Sequence, residues 1–139
     1  MFLYNKNYLV KIDYFSKWIE IEKVNKSAGE IIKVFAIVIA RFGAPETVVC
    51  DNSPFNCWEF KKFSKEWDIT LSFISPYHSQ SNCMAEKRVG IVKTLFKKAY
   101  KKRKRSFVAL PEYKNTPIPN IRLSPAQMLF NHRLRFKLP

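Results

Sequence analysis

Two carboxylates stand at positions suited to chemistry. Asp51 closes the apolar run "ETVVCD" (46–51), and Glu86 follows the turn-forming stretch "SPYHSQSNCMAE" (75–86), with 34 residues between them. The run before Asp51 has the composition of a short, fully buried strand, and open α/β sheets carry their chemistry at the carboxyl ends of strands. Glu86 falls in the first turn or two of a helix predicted over about 82–102. An acid at a strand end and an acid from a neighbouring helix can together hold a hard divalent cation, and carboxylate oxygens suit Mg²⁺ or Mn²⁺. Two such ions can clamp the attacking and leaving oxygens of a phosphodiester during in-line displacement. A plainer reading stands beside this one. The helix dipole stabilises any acid near a helix N-terminus, and an Asp before Asn and Ser is a common turn former.

The charge around these acids has the opposite sign. The 139 residues include 25 Lys and Arg against 11 Asp and Glu, a formal charge of +14. Such a field favours a polyanion as partner, nucleic acid first and an anionic membrane second. The run "KKAYKKRKR" (97–105) places seven basic residues in nine. Charge density alone reads it three ways: a nucleic-acid contact, a nuclear import signal, or a solvated helix end. Lys93 and Lys97 share a helical stripe with Glu86 and Gly90, at spacings of four, three and four. They are therefore favoured as nucleic-acid contacts over Lys98 and Lys102. Asn52, Gln80 and Asn82 flank the two acids as further candidate contacts, with turn formation as the alternative.

Composition narrows the class. Hydrophobic residues make up 47% and aromatics 15%, which argues for a folded domain and against disorder. The length supports one domain with a modest core. The longest apolar run, "IIKVFAIVIARF" (31–42), is interrupted by Lys33 and is too short to span a bilayer. No secretory signal follows Met1. Cys50, Cys57 and Cys83 form no CxxC pair, and neither His78 nor His132 completes a zinc pattern. They read as free thiols in a reducing compartment.

The elements that must position the acids follow from periodicity. "YLVKID" (8–13) and "KWIEIEKV" (17–24) predict a hairpin, with Ile19 and Ile21 on one face and Trp18, Glu20 and Glu22 on the other. Ser27 with Glu30 three residues later predicts a capping box. The helix it opens would face inward through Ile31, Phe35, Val38 and Phe42 and stop at Gly43 and Pro45. "EFKKFSKEW" (59–67) predicts an amphipathic helix with Phe60, Phe63 and Trp67 inside, and "ITLSFIS" (69–75) a strand. The long helix after it would turn Ala85, Val89, Val92, Phe96 and Tyr100 inward. Pro111 would break or kink any helix through "FVALPEYKN". Ser124 and Pro125 predict the start of a last helix, "SPAQMLF". Trp18, Trp58 and Trp67 read as core or edge anchors, not stacking platforms, and His78 as structural. The order is that of a mixed α/β domain.

"YLVKIDYFSKWIE" (8–20), "CDNSPFN" (50–56), "SPYHSQSNCMAE" (75–86) and "NTPIPNIRLSPAQMLFNHRLRFKLP" (115–139), in this order, resemble the integrase catalytic core of Ty3/gypsy-type long-terminal-repeat retrotransposons. The resemblance covers nearly the whole chain. It implies an RNase H-like fold, a mixed central sheet flanked by helices, in one domain spanning 1–139. It implies an activity of 3′-end processing and strand transfer into DNA with three carboxylates and Mg²⁺ (or Mn²⁺), DNA as partner, and pairing as a homodimer. Asp51 matches the family's second catalytic acid and Glu86 its third.

Several positions depart from the family pattern. Ser53 and Cys83 replace glycines, Ser79 a proline, and the gap between the two acids is one residue shorter than usual. Ser and Cys at glycine positions are expected to carry strain. The family's first catalytic Asp aligns immediately ahead of Met1, so the first strand is expected to be missing or incomplete. Asp13 matches a non-catalytic position and reads as a strand-end or turn residue. No zinc-binding domain is expected before the core and no DNA-binding domain after it. Two function classes result: an integrase core impaired in strand transfer, and a non-catalytic nucleic-acid-binding or interaction module derived from one. The run Lys97 to Arg105 points to the nucleus.

Overall fold

The computed structural model describes residues 2–3, 6–74, 79–101 and 106–135. Their contacts fall into two units, Met1–Leu9 with Glu22–Met84, and Val10–Ile21 with Ala85–Pro139. The division runs through a hairpin formed by β2 (Lys6–Ile12) and β3 (Ile19–Lys23). The hairpin base lies in the first unit, where the Val24 N–H donates to the Asn7 carbonyl at 3.0 Å. Its tip lies in the second, where the Asp13 N–H donates to the Trp18 carbonyl at 2.9 Å. A two-residue strand, β1 (Phe2–Leu3), pairs antiparallel with β2, and the sheet order is β1-β2-β3.

In the first unit, α1 (Ala28–Phe42) is opened by Ser27, whose Oγ accepts from the Glu30 N–H at 3.4 Å. Only half of the expected capping box forms. The Glu30 carboxylate reaches past Ser27 and accepts from the Asn25 backbone N–H (2.6 Å) and from Asn25 Nδ2 (3.1 Å). The buried stripe is Ile31, Phe35 and Ile39; Val38 is half-buried, and Phe42, in the last turn, is 40% exposed. Gly43 ends the helix at φ +85°, a region favouring glycine, and donates to the Ile39 carbonyl at 2.8 Å.

β4 (Thr47–Cys50) and β5 (Thr70–Phe73) pair in parallel, Val48 opposite Leu71 and Cys50 opposite Phe73. The single turn α2 (Asn52–Phe55) and α3 (Trp58–Glu66) connect them. The expectation of a fully buried strand before Asp51 is corrected, since Thr47 is exposed, Val48 and Val49 are half-buried, and only Cys50 is buried. α3 turns Phe60 and Phe63 into a core shared with Leu9, Val24, Ile31, Phe35, Ile39 and Ile69. Trp67, expected inside, caps α3 and is 48% exposed, its ring 6.4 Å from that of Phe63.

The second unit holds the hairpin tip, α4 (Ser79–Lys101) from Ala85 onward, α5 (Ser106–Asn115) and α6 (Pro125–Phe130). Trp18 and Ile19 are both buried, so the alternation expected of β3 does not divide core from solvent. Trp18 meets Phe130 edge-to-face at 5.1 Å, and its Nε1 donates to Glu20 Oε1 at 2.7 Å. Lys114 Nζ lies 3.9 Å from the Trp18 ring centroid and 3.3 Å from Glu20 Oε1.

Pro111 does not break α5, which continues across it to Asn115. The turn beyond the proline is anchored from outside the helix. Tyr113 donates to the Lys17 carbonyl at 3.1 Å, Lys114 pairs with Glu20, and Asn115 exchanges two hydrogen bonds with the Leu134 backbone at 2.7 and 2.8 Å. These contacts offset the bond that proline cannot make. α6 begins as expected at Ser124, with a full capping box through Gln127.

Candidate nucleic-acid interface and carboxylate positions

Asp51 follows the last residue of β4 and takes the N-cap position of α2, at φ −71° and ψ 157°. Its carboxylate is exposed and makes no capping hydrogen bond. Asn52 begins the turn and is also exposed. The strain expected from Ser53 is absent, because φ there is −107°, an extended conformation open to any residue. Cys83 lies within α4, where backbone φ is negative, so it needs no glycine either.

Beside Asp51, Cys50 is 7% exposed. Burial pushes its thiol up from the usual range to about 11, and the neighbouring Asp51 carboxylate adds to the shift. The thiolate is the reactive form. Cys50 is therefore expected to resist maleimide at pH 8 in the native protein and to react once urea unfolds it; counting labels by mass spectrometry checks this. Native labelling of Cys50 would show that the β4 end opens readily. The sign of the linked stability effect follows. The folded thiol keeps its proton between the ordinary value near 9 and about 11, while the unfolded chain has lost it. This contribution is full below pH 9 and fades as pH rises through that window.

α4 starts at Ser79, three residues earlier than expected, so Gln80 and Asn82 belong to its first turn and Glu86 lies beyond the second. The side chains of Gln80, Asn82 and Cys83, like the segment 75–78 with His78 and the run 102–105, lie outside the described residues. Glu86, Gly90, Lys93 and Lys97 are all exposed along one face, as their spacing predicts. Val92 is fully buried, and Val89 and Phe96 are half-buried. Lys87 and Lys98 border a shallow groove of about 440 Å³ on the flank of that face. Lys87 thus extends the basic surface beyond the two lysines singled out from the sequence. Its signal was the i, i+11 spacing to Lys98 on the adjoining stripe.

Asp13 is a turn residue, as its alignment implies. Its Oδ2 accepts from the Ser16 backbone N–H (2.8 Å) and from Ser16 Oγ (2.5 Å). Trp58 is not the anchor expected of it. It is 71% exposed, with Lys62 Nζ 5.3 Å from its ring centroid. With Lys61, Lys62 and Lys65 it makes an exposed face of α3 at i, i+3, i+4 and i+7, a periodicity visible in the sequence but not used.

The structure therefore brings Glu86, Lys93 and Lys97 together in one unit, and Asp51 with Asn52 in the other. Oxygen donors of this kind suit Mg²⁺ or Mn²⁺. Among the described residues, however, no group of three or more His, Cys, Asp or Glu side chains is placed to hold a metal.

No family model and no curated protein sequence matches the chain. Solved structures do. A chain of the simian T-cell lymphotropic virus intasome, in complex with the PP2A regulatory subunit B56 gamma, superposes with a TM-score of 0.78 at 24% identity. The match covers 98% of this chain but only 52% of the viral one, so this chain spans about half of that relative's length. The HTLV-2 integrase catalytic core domain, in complex with magnesium in a trimeric form, gives 0.72 at 20% identity, covering 93% and 89% of the two chains. The catalytic core domain of BIV integrase gives 0.76 at 18% identity, covering 94% and 90%. The chain has the RNase H-like fold of these retroviral integrase catalytic cores.

Proposed function

We propose that this chain is an integrase core-like protein of the Ty3/gypsy retrotransposon kind that binds DNA and is weak in strand transfer on its own. The observation that carries the reading is the superposition on integrase cores over nearly the whole chain, at TM-scores of 0.72 to 0.78. The motif resemblance, with Asp51 and Glu86 at two catalytic positions, supports it. In this reading Lys93 and Lys97, joined by Asn52, Gln80 and Asn82, contact DNA, and Asp51 and Glu86 take part in holding Mg²⁺ or Mn²⁺. Magnesium is held in enzymes by one or two carboxylates plus substrate phosphates, so affinity is weak without DNA. Pairing as a homodimer and a nuclear location through Lys97 to Arg105 complete the proposal.

A second reading, a nucleic-acid-binding module without chemistry, is favoured by the exposed lysine face of α4, which needs no catalytic acid to bind a polyanion. End-processing and joining assays with Mn²⁺ separate the two. The expected result is duplex binding with little or no joining. Lys93→Glu with Lys97→Glu is expected to weaken duplex binding and to lower the slope of log affinity against log salt by about 2. Robust joining would overturn the impairment, and an unchanged slope would overturn the role of α4.

A further inference from the structure

The outer face of α3 has no part in the proposed function. Trp58, Lys61, Lys62 and Lys65 are all exposed there, while Phe60 and Phe63 fill the core on the opposite side. A tryptophan 71% exposed contributes little to packing and leaves most of its ring surface open to a partner. Lys62 lies against its ring, 5.3 Å from the centroid, which steadies the indole. Next to this face runs a groove of about 370 Å³ between α3 and β5, lined by Lys61, Ser64, Lys65, Thr70 and Phe73. Lys61 Nζ lies 5.7 Å from the Phe73 ring centroid, which holds the ammonium over the groove. Lys61 and Lys65 are one helical turn apart, about 6 Å along the axis, similar to the step between successive phosphates of an extended strand.

Cations in a row beside an exposed aromatic face are what a single-stranded nucleic acid requires, since phosphates take the cations and an unpaired base takes the ring. We propose that this face of α3 and its groove form a further nucleic-acid site that takes single strands, with a base stacked on Trp58 and phosphates on Lys61 and Lys65. A duplex would use only the lysines, because its bases are already stacked. An acidic peptide would use the lysines and the groove but not the indole face. The site involves none of the α4 lysines, so either assignment stands without the other.

The test is fluorescence anisotropy with the full chain and labelled oligothymidylate, alongside a duplex of equal length and an oligoglutamate competitor. Trp58→Ala is expected to weaken oligothymidylate binding about tenfold, to change duplex binding less than twofold, and to leave the melting temperature unaltered. Trp58→Phe should recover part of the loss. Lys61→Ala with Lys65→Ala should lower the salt slope for the single strand by about 1.4. Single-strand affinity unchanged by Trp58→Ala would overturn the proposal, as would an equal loss on the duplex. Oligoglutamate that displaces the single strand in wild type but not in the double lysine variant would assign the face to acidic peptides instead. Lys93→Glu with Lys97→Glu serves as control, since its failure to affect the duplex would count against α4 alone.

Discussion

Phe60→Ala is expected to cost about 3–5 kcal/mol of stability, the range for emptying a buried aromatic site. The ring is 1% exposed and touches three others. It meets Phe35 at 5.4 Å and Phe55 at 5.2 Å edge-to-face, and Phe63 at 6.2 Å in a tilted arrangement. Removing it takes a partner from α1, from the turn after β4 and from its own helix together. Small domains are stable by only about 5–15 kcal/mol, so the variant should be partly unfolded near 37 °C. Urea titration followed by circular dichroism checks this. Ile37→Ala, at a side chain 49% exposed on α1, is the control and should cost less than about 1 kcal/mol. Similar losses for the two would mean that the aromatic cluster does not organise this core.

The second large effect concerns the Trp18, Glu20 and Lys114 group. The Lys114 and Glu20 side chains are 11% and 16% exposed. Glu20→Ala removes the carboxylate that faces the Lys114 ammonium and accepts the Trp18 N–H. Breaking one side of a buried ion pair costs more than the pair is worth, because the remaining charge stays desolvated. About 3 kcal/mol is expected, part of the charge still being met by the Trp18 ring. Glu20→Gln with Lys114→Met should recover at least 1 kcal/mol of that loss, since the amide oxygen can accept from Trp18 and no charge is left behind. Thermal unfolding of Glu20→Gln, of Lys114→Met and of the double variant gives the coupling directly. If the double variant is no more stable than Glu20→Ala, charge burial is not the source of the cost.

Local signals were legible in the sequence where short-range chemistry decides the outcome. Ser27 and Ser124 cap their helices as read, Gly43 ends α1, and the hairpin turns at Asp13. The lysine stripe of α4 was legible because helical periodicity alone fixes which residues share a face. What failed depended on partners distant in sequence. Trp18, just before β3, would point away from Ile19, yet both are buried, because Phe130 and Lys114 cover the indole from about a hundred residues away. Pro111 reads as breaking or kinking a helix; the break does not occur, because Lys17, Glu20 and Leu134 hold the turn after it. The two strain expectations, at Ser53 and Cys83, failed for another reason. A glycine in a family motif does not by itself establish a positive φ, and here neither replacement needs one. Asp51 and Glu86 stand out as a strand-end acid and a helix-start acid, and their match to two catalytic positions rests on motif order; periodicity says nothing of which acids meet.

Each unit is assembled from two separated stretches of chain, and the hairpin is threaded through both. Inheritance is constrained by that threading. A break after Met84 would separate residues 10–21 from Lys114 and Phe130, leaving Trp18 and Glu20 on a fragment without the side chains that cover them. Recombination at that point passes on the first unit whole but splits the second, so the hairpin tip and the stretch from Ala85 to α6 stay covered only when inherited together.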